Sequence, residues 1–183
     1  FCAALLSFFI RTLCNWRVYS RSSAVLSGIS NNVITGNWTQ RDGGGVYVFM
    51  DSYRNDIVNN TIVGNTAGAY GGGIYNGIIM QSGQLNLYNN IIEGNQASTA
   101  GRDIFNDNGG GGIINVCFDD FSGMGGAQVN NAGPGCNTPN SGNLHVDPLF
   151  VNPATGDFHL QGGSPVINNA YNFAPSLPLT DLV

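Results

Sequence analysis

Between Ile29 and Phe105 the chain places aliphatic side chains at fixed positions of a unit that it writes three times. Ile29 to Tyr47 reads ISNNVITGNWTQRDGGGVY, Ile57 to Tyr75 reads IVNNTIVGNTAGAYGGGIY, and Leu87 to Phe105 reads LYNNIIEGNQASTAGRDIF. The copies align over 19 positions without a gap, at a period of 28 and then 30 residues. A period in this range points to a solenoid, a propeller or an array. Three columns are aliphatic throughout: Ile29, Ile57 and Leu87; Ile34, Ile62 and Ile92; Val46, Ile74 and Ile104. Branched side chains of this kind favour strands. The neighbouring positions vary, with Ser30, Val58 and Tyr88 in one column and Thr35, Val63 and Glu93 in another. This contrast predicts short strands with one face inward and one outward.

Gly and Asn interrupt the unit too often for a helix, since a Gly inside a helix costs about 1 kcal/mol relative to Ala. If each copy is one turn of a coil, like residues lie over like at about 4.8 Å. Asn32, Asn60 and Asn90 then form one amide ladder, and Asn37, Asn65 and Asn95 a second, each amide donating to the next. The constant glycines Gly36, Gly64 and Gly94, and Gly43, Gly71 and Gly101, are expected to supply the positive φ of sharp corners. A single copy has no core of its own, so neighbouring copies must cover one another.

NNTIVGN followed by GGGIYN resembles the repeats of bacterial right-handed parallel β-helix proteins of the pectin-lyase-like superfamily. The tail HVDPLFVNPATGDFHLQGGSPVINNA, His145 to Ala170, is similar to the C-terminal part of choice-of-anchor Q domain proteins. The resemblance implies an all-β fold, a single-stranded solenoid of three short parallel sheets. Its right hand also follows from the rule for parallel crossovers. The expected organisation is an unmatched segment at 1–23 and a β-helix at 24–183, with IINVCF from Ile113 as a strand. Gly109 to Gly112 are expected to repeat the glycine corner in a degenerate fourth coil. A loop excursion follows at 119–143, then a closing coil of strands at 144–170. Segment 1–23 reads as an irregular cap, a leader remnant or an artefact of a gene fragment, and any anchor is expected beyond Val183.

Charged residues make up 9% of the chain, Lys is absent, all six basic residues are Arg, and the net charge is −5. Polarity comes instead from 25 Asn, and 27 Gly supply turns. Nucleic acid is therefore not an expected partner, and the apolar start, Phe1 to Ile10, is too short to span a bilayer. A monomer at the cell surface or outside the cell is expected. Cys2, Cys14, Cys117 and Cys136 contain no CxxC pair. Cys117 and Cys136 flank the excursion, either bridged across it or as unrelated thiols.

The superfamily includes pectate lyases, which need an Arg or Lys base beside calcium, and polygalacturonases, which need spaced carboxylates. Here Glu93 is the only Glu, and Asp119 and Asp120 are the one adjacent acidic pair, hence the acid/base candidates. Neighbours on a strand face opposite ways, so a solvated turn is the alternative. Calcium on Asp119 and Asp120 is chemically possible, but no motif marks it, and no metal or cofactor is expected. Asp147 and Asp157 read as turn openers, and His159 as exposed. NWT at Asn37 and NNT at Asn59 fit glycosylation acceptors, expected by accident in so Asn-rich a chain. Tyr47, Tyr75 and Phe105 form an outward aromatic column, either a glycan-binding face or rings stacked for stability. Two functions stand at this point. One is a non-catalytic stalk or adhesin-like module contacting glycans; the other is a fragment of a lyase or hydrolase acting on uronic-acid-rich polysaccharide.

Overall fold

The computed structural model describes residues 10–11, 18–19, 27–49, 54–77, 83–107, 113–126 and 142–174. Like residues of successive copies pair in parallel, and the chain is an all-β solenoid. Sheet I contains Ser27–Ser30, Arg54–Val58, Gln84–Tyr88 and Ile113–Cys117. Sheet II contains Ile10–Arg11, Val33–Thr35, Thr61–Val63, Ile91–Glu93 and Asp120–Phe121. A narrow sheet III holds Trp38–Thr39, Thr66–Ala67 and Gln96–Ala97. Sheet IV holds Val18–Tyr19, Val46–Phe49, Ile74–Gly77, Ile104–Asn106 and Met124–Gly126. The cross-section thus has a fourth strip where three sheets were expected. The bend at Gly64–Asn65 leaves only two paired residues before the glycine corner.

The aliphatic columns are the interior rows. Ile34, Ile62 and Ile92 are paired in register and at most 1% exposed, and Ile57 with Leu87 and Ile74 with Ile104 repeat this. Burying each such side chain is worth about 1.5 to 3 kcal/mol. At the corners Gly36, Gly64, Gly94, Gly43, Gly71 and Gly101 all have φ between 64° and 69°. Two corner glycines that carry no positive φ are held by contact instead. A Cβ on Gly72 would stand 2.3 Å from the Arg102 carbonyl of the next coil, and one on Gly73 2.9 Å from the Asn95 amide.

Both Asn ladders are present, and both run onto a carboxylate that the repeat did not announce. The backbone N–H and side-chain amide of Asn32 donate to Oδ1 of Asn60 (3.0 and 3.1 Å), and those of Asn60 to Oδ1 of Asn90 (2.9 and 3.0 Å). Asn90 in turn donates to Oδ1 of Asp119 (2.7 and 2.8 Å), and the Asp119 N–H donates to Asn143 Oδ1 (2.9 Å). The second ladder runs from Asn37 through Asn65 and Asn95 to Asp103. Asp103 stands in the column of Gly45 and Gly73, where the next coil's Asn crowds any Cβ. The fourth coil has no such Asn. It passes from Phe121 to the sheet IV strand at Met124 with only Ser122 and Gly123 between. The Asp103 carboxylate fills the vacant rung, and its Oδ2 accepts from the N–H groups of Ser122 and Gly123 and from the Ser122 hydroxyl.

At the ends the structure differs from three expectations. The chain pairs in parallel at Ile10–Arg11 and Val18–Tyr19, which is coil geometry where an irregular cap was one reading. The run at 109–112, expected to repeat the glycine corner, lies outside the described residues. The coil continues through Asp119–Gly126 and resumes at Asn143, so the excursion does not begin at Asp119. The closing segment is not a parallel coil. Leu144 bridges to Asp120, and then Phe150–Asn152 and Asp157–Leu160 form an antiparallel hairpin around a 3-10 turn at Pro153–Thr155. PVIN is a run of turns. Farther on, Tyr171 and Ala174 pack on the outer face of sheet I against Val58, Tyr88 and Cys117, which explains why those outward side chains are buried. Asn89 pins the segment, its amide donating to the Tyr171 carbonyl (3.2 Å) and accepting from the Tyr171 N–H (2.8 Å).

Candidate functional site

Strand alternation turns Ile34, Ile62, Ile92 and Phe121 inward on sheet II, so Thr35, Val63, Glu93 and Ser122 form its outer strip. The closing hairpin crosses in front of that strip and leaves a cleft of about 560 Å³ between them. One wall is the strip, with Thr35, Glu93 and Ser122 as its polar groups. The other wall carries Pro148, Phe150, Pro153 and Phe158, with His145 and Asp147 at the junction. Phe150 and Phe158 meet edge to face at 5.3 Å, which fixes that wall.

Burial under the hairpin raises the Glu93 carboxyl to about 7, with Asp103 and Asp120 adding to it. Donors from Ser122 and the Gly94 backbone oppose the shift, and one carboxyl oxygen, Oε1, is buried without a partner. Asp120, 3% exposed, is raised for the same first reason, burial. The Val146 N–H donates to its Oδ1 (3.1 Å), while Oδ2 is buried without a partner. His145 Nδ1 lies 2.5 Å from the Phe121 carbonyl. A carbonyl only accepts, so the proton sits on Nδ1 and Nε2 is the acceptor of the neutral ring. The site therefore combines a carboxyl held well above the usual carboxylate range, a histidine of fixed tautomer and a ring-and-proline wall.

The two acidic candidates do not act together. Asp119 is wholly buried as a ladder rung, and Asp120 lines a separate groove with Ile91 and Leu144 rather than the cleft. Among the described residues no group of three or more His, Cys, Asp or Glu is arranged to hold a metal ion. Asp147 is a turn former, accepting from the Leu149 N–H at 2.9 Å. Asp157, partly exposed, pairs with the exposed His159 (2.6 Å), which lowers its pKa. The aromatic column exists but its ring faces are occupied. Tyr47 and Tyr75 stack at 5.0 Å and 8°, Tyr75 and Phe105 at 5.8 Å and 5°, and Tyr75 is 8% exposed, its hydroxyl donating to Asp107 (2.6 Å). Tyr75 therefore has no free ring face, and the three rings stack on one another, as in the second of the two readings. Asn37 is a buried rung, which removes NWT as an acceptor site. Cys117 is disulfide-bonded, and the other cysteines, Cys136 included, lie outside the described residues.

Glu93 was visible in the sequence only as an outward residue of a variable column. Its one signal was a carboxylate where copies one and two carry Thr35 and Val63. No protein-family model, curated protein or solved structure matches the chain, and what assigns it to the parallel β-helix solenoids is its own stacked sheets and buried Asn ladders.

Proposed function

We propose that this chain is an extracellular β-helical module, stalk-like or adhesin-like in the manner of the bacterial surface proteins it resembles, that holds a glycan in the cleft under the closing hairpin. The observation that carries this reading is the cleft's pairing of walls, one of rings and prolines and one of polar groups. Sugars present an apolar C–H face and a rim of hydroxyls, and protein sites for small ligands combine apolar surface with a few placed polar groups in the same way. The disulfide at Cys117 supports an oxidising compartment. The test is binding of the full chain to an immobilised panel of plant and bacterial polysaccharides, with Phe158→Ala as comparison. Binding that the variant weakens at least about tenfold is expected; binding indifferent to Phe158 would sink the reading.

A second reading has one observation in its favour. Burial raises the Glu93 carboxyl to about 7, in the direction a general acid needs. Release of reducing ends or of unsaturated products by the parent, abolished in Glu93→Gln, would make the module an enzyme.

A further inference from the structure

At the bend that ends sheet II the corner glycines Gly36, Gly64 and Gly94 are exposed, and Gly64 and Gly94 also line the cleft. A Cβ on Gly36 or Gly94 would meet nothing within 4 Å, and one on Gly64 only the Thr35 hydroxyl at 3.7 Å. That rim of the cleft is therefore bare backbone facing open space. Beyond it Asn37, Asn65 and Asn95 turn inward as ladder rungs, so the next outward column is Trp38, Thr66 and Gln96, paired in register on sheet III. Thr35, which lines the cleft, and Trp38 are three residues apart, at most about 11 Å by chain geometry. Trp38 is 57% exposed, and among the described residues no aromatic ring stacks on it. It has the free ring face that Tyr75 lacks. Gln96 is exposed and Thr66 half-buried, and neither side chain forms a hydrogen bond among the described residues. An indole offers a large flat apolar surface and one N–H donor. The C–H face and hydroxyl rim of a sugar match that surface and the free hydroxyl and amide beside it.

We infer that the glycan site continues from the cleft over this glycine rim onto sheet III, where Trp38 stacks on an outer sugar. Thr66 and Gln96, one and two strands along at about 4.8 Å each, bond hydroxyls of the same chain. This extension rests on the glycan reading given above and deepens it, since the ligand becomes a polymer gripped along several sugars. Arg11 holds the register position beside Thr35, and the C–H face is common to neutral and acidic sugars, so both serve as probes. The experiment is calorimetric titration of the full chain with disaccharides and hexasaccharides of four series: cellulose, xylan, mannan and polygalacturonate. In at least one series the hexasaccharide should bind at least about tenfold more tightly than the disaccharide. Trp38→Ala should remove that gain and leave the disaccharide within about twofold of the parent, while Trp38→Phe, which keeps a ring, retains most of it. Phe158→Ala, in the cleft wall, should weaken both lengths. Equal affinity for the two lengths, a gain that survives Trp38→Ala, or a Trp38→Ala loss as large for the disaccharide as for the hexasaccharide overturns the extension and leaves the cleft standing. Failure of all four series to bind overturns the glycan reading and the extension with it.

Discussion

Replacing Asp119 with Asn tests the carboxylate rung of the first ladder. Oδ1 of Asp119 accepts two short bonds from Asn90, and Oδ2 accepts from the Cys117 N–H at 3.0 Å. These three donors favour the charged form, but the residue is 0% exposed, and burial outweighs them, raising the carboxyl to about 7. A folded pKa above the unfolded value of about 3.9 means that the folded chain holds the extra proton between the two. The associated stability is therefore fully present below about pH 4 and is lost as pH rises through about 7. A shift of about three units corresponds to about 4 kcal/mol. Asn does not titrate, so the variant escapes this loss. It gives up the bond from Cys117, about 1 kcal/mol. Its new amide can reach the Leu87 carbonyl, by the pattern in which Asn60 reaches Ile29, Asn90 reaches Ile57 and Asn143 reaches Val116. Urea unfolding with the disulfide intact should show the variant more stable by about 3 kcal/mol near pH 8 and within about 1 kcal/mol near pH 4. Glu93 and Asp120 shift the same way and remain in both proteins, so the difference between the two curves isolates Asp119. A variant that loses stability with pH as steeply as the parent would refute the buried, proton-holding rung.

Three other substitutions address the coil itself. Asn60→Leu removes the acceptor of Asn32 and the donor to Ile29, Val58 and Asn90, and should cost at least about 3 kcal/mol in urea unfolding; a parent-like midpoint would show that the ladder contributes nothing. Gly94→Ala has φ 64° but open space around its Cβ, and should cost only about 1 to 2 kcal/mol. Gly72→Ala drives a Cβ into the Arg102 and Gln96 carbonyls at 2.3 and 2.4 Å, and should cost more than about 3 kcal/mol or prevent folding; equal costs for the two would contradict the close stacking of corners.

The contrast between Asn60 and Asp119 shows where the sequence stops speaking. Asn60 recurs at the repeat period, and stacking of like on like follows from that recurrence alone. Asp119 and Asn143 are rungs of the same ladder. However, the first is spelled with a different residue and the second returns after a long insertion, so neither carries the periodic signal. Phe118 occupies the left-handed column of Asn31, Asn59 and Asn89 at φ 57°, a strained place for a large side chain, and stacks on Tyr171 at 5.1 Å. Nothing local predicts that partner 53 residues away, 171 − 118 in the numbering. The aromatic column was visible, but whether its rings faced sugar or one another depended on their separation and tilt.

The repeat by itself determined the interior rows, the amide ladders and the positive-φ glycine corners. Each follows from strand alternation within one copy and from identity between copies, which are local and periodic properties. Tertiary structure alone decided the cleft. The closing segment turns back as an antiparallel hairpin across the outer strip of sheet II, and the outward positions Thr35, Val63 and Glu93 carry no pattern that says what will cover them. Because Glu93 acquires its high proton affinity first from burial under that hairpin and then from neighbouring carboxylates, the same glutamate in an uncovered coil would be an ordinary surface acid.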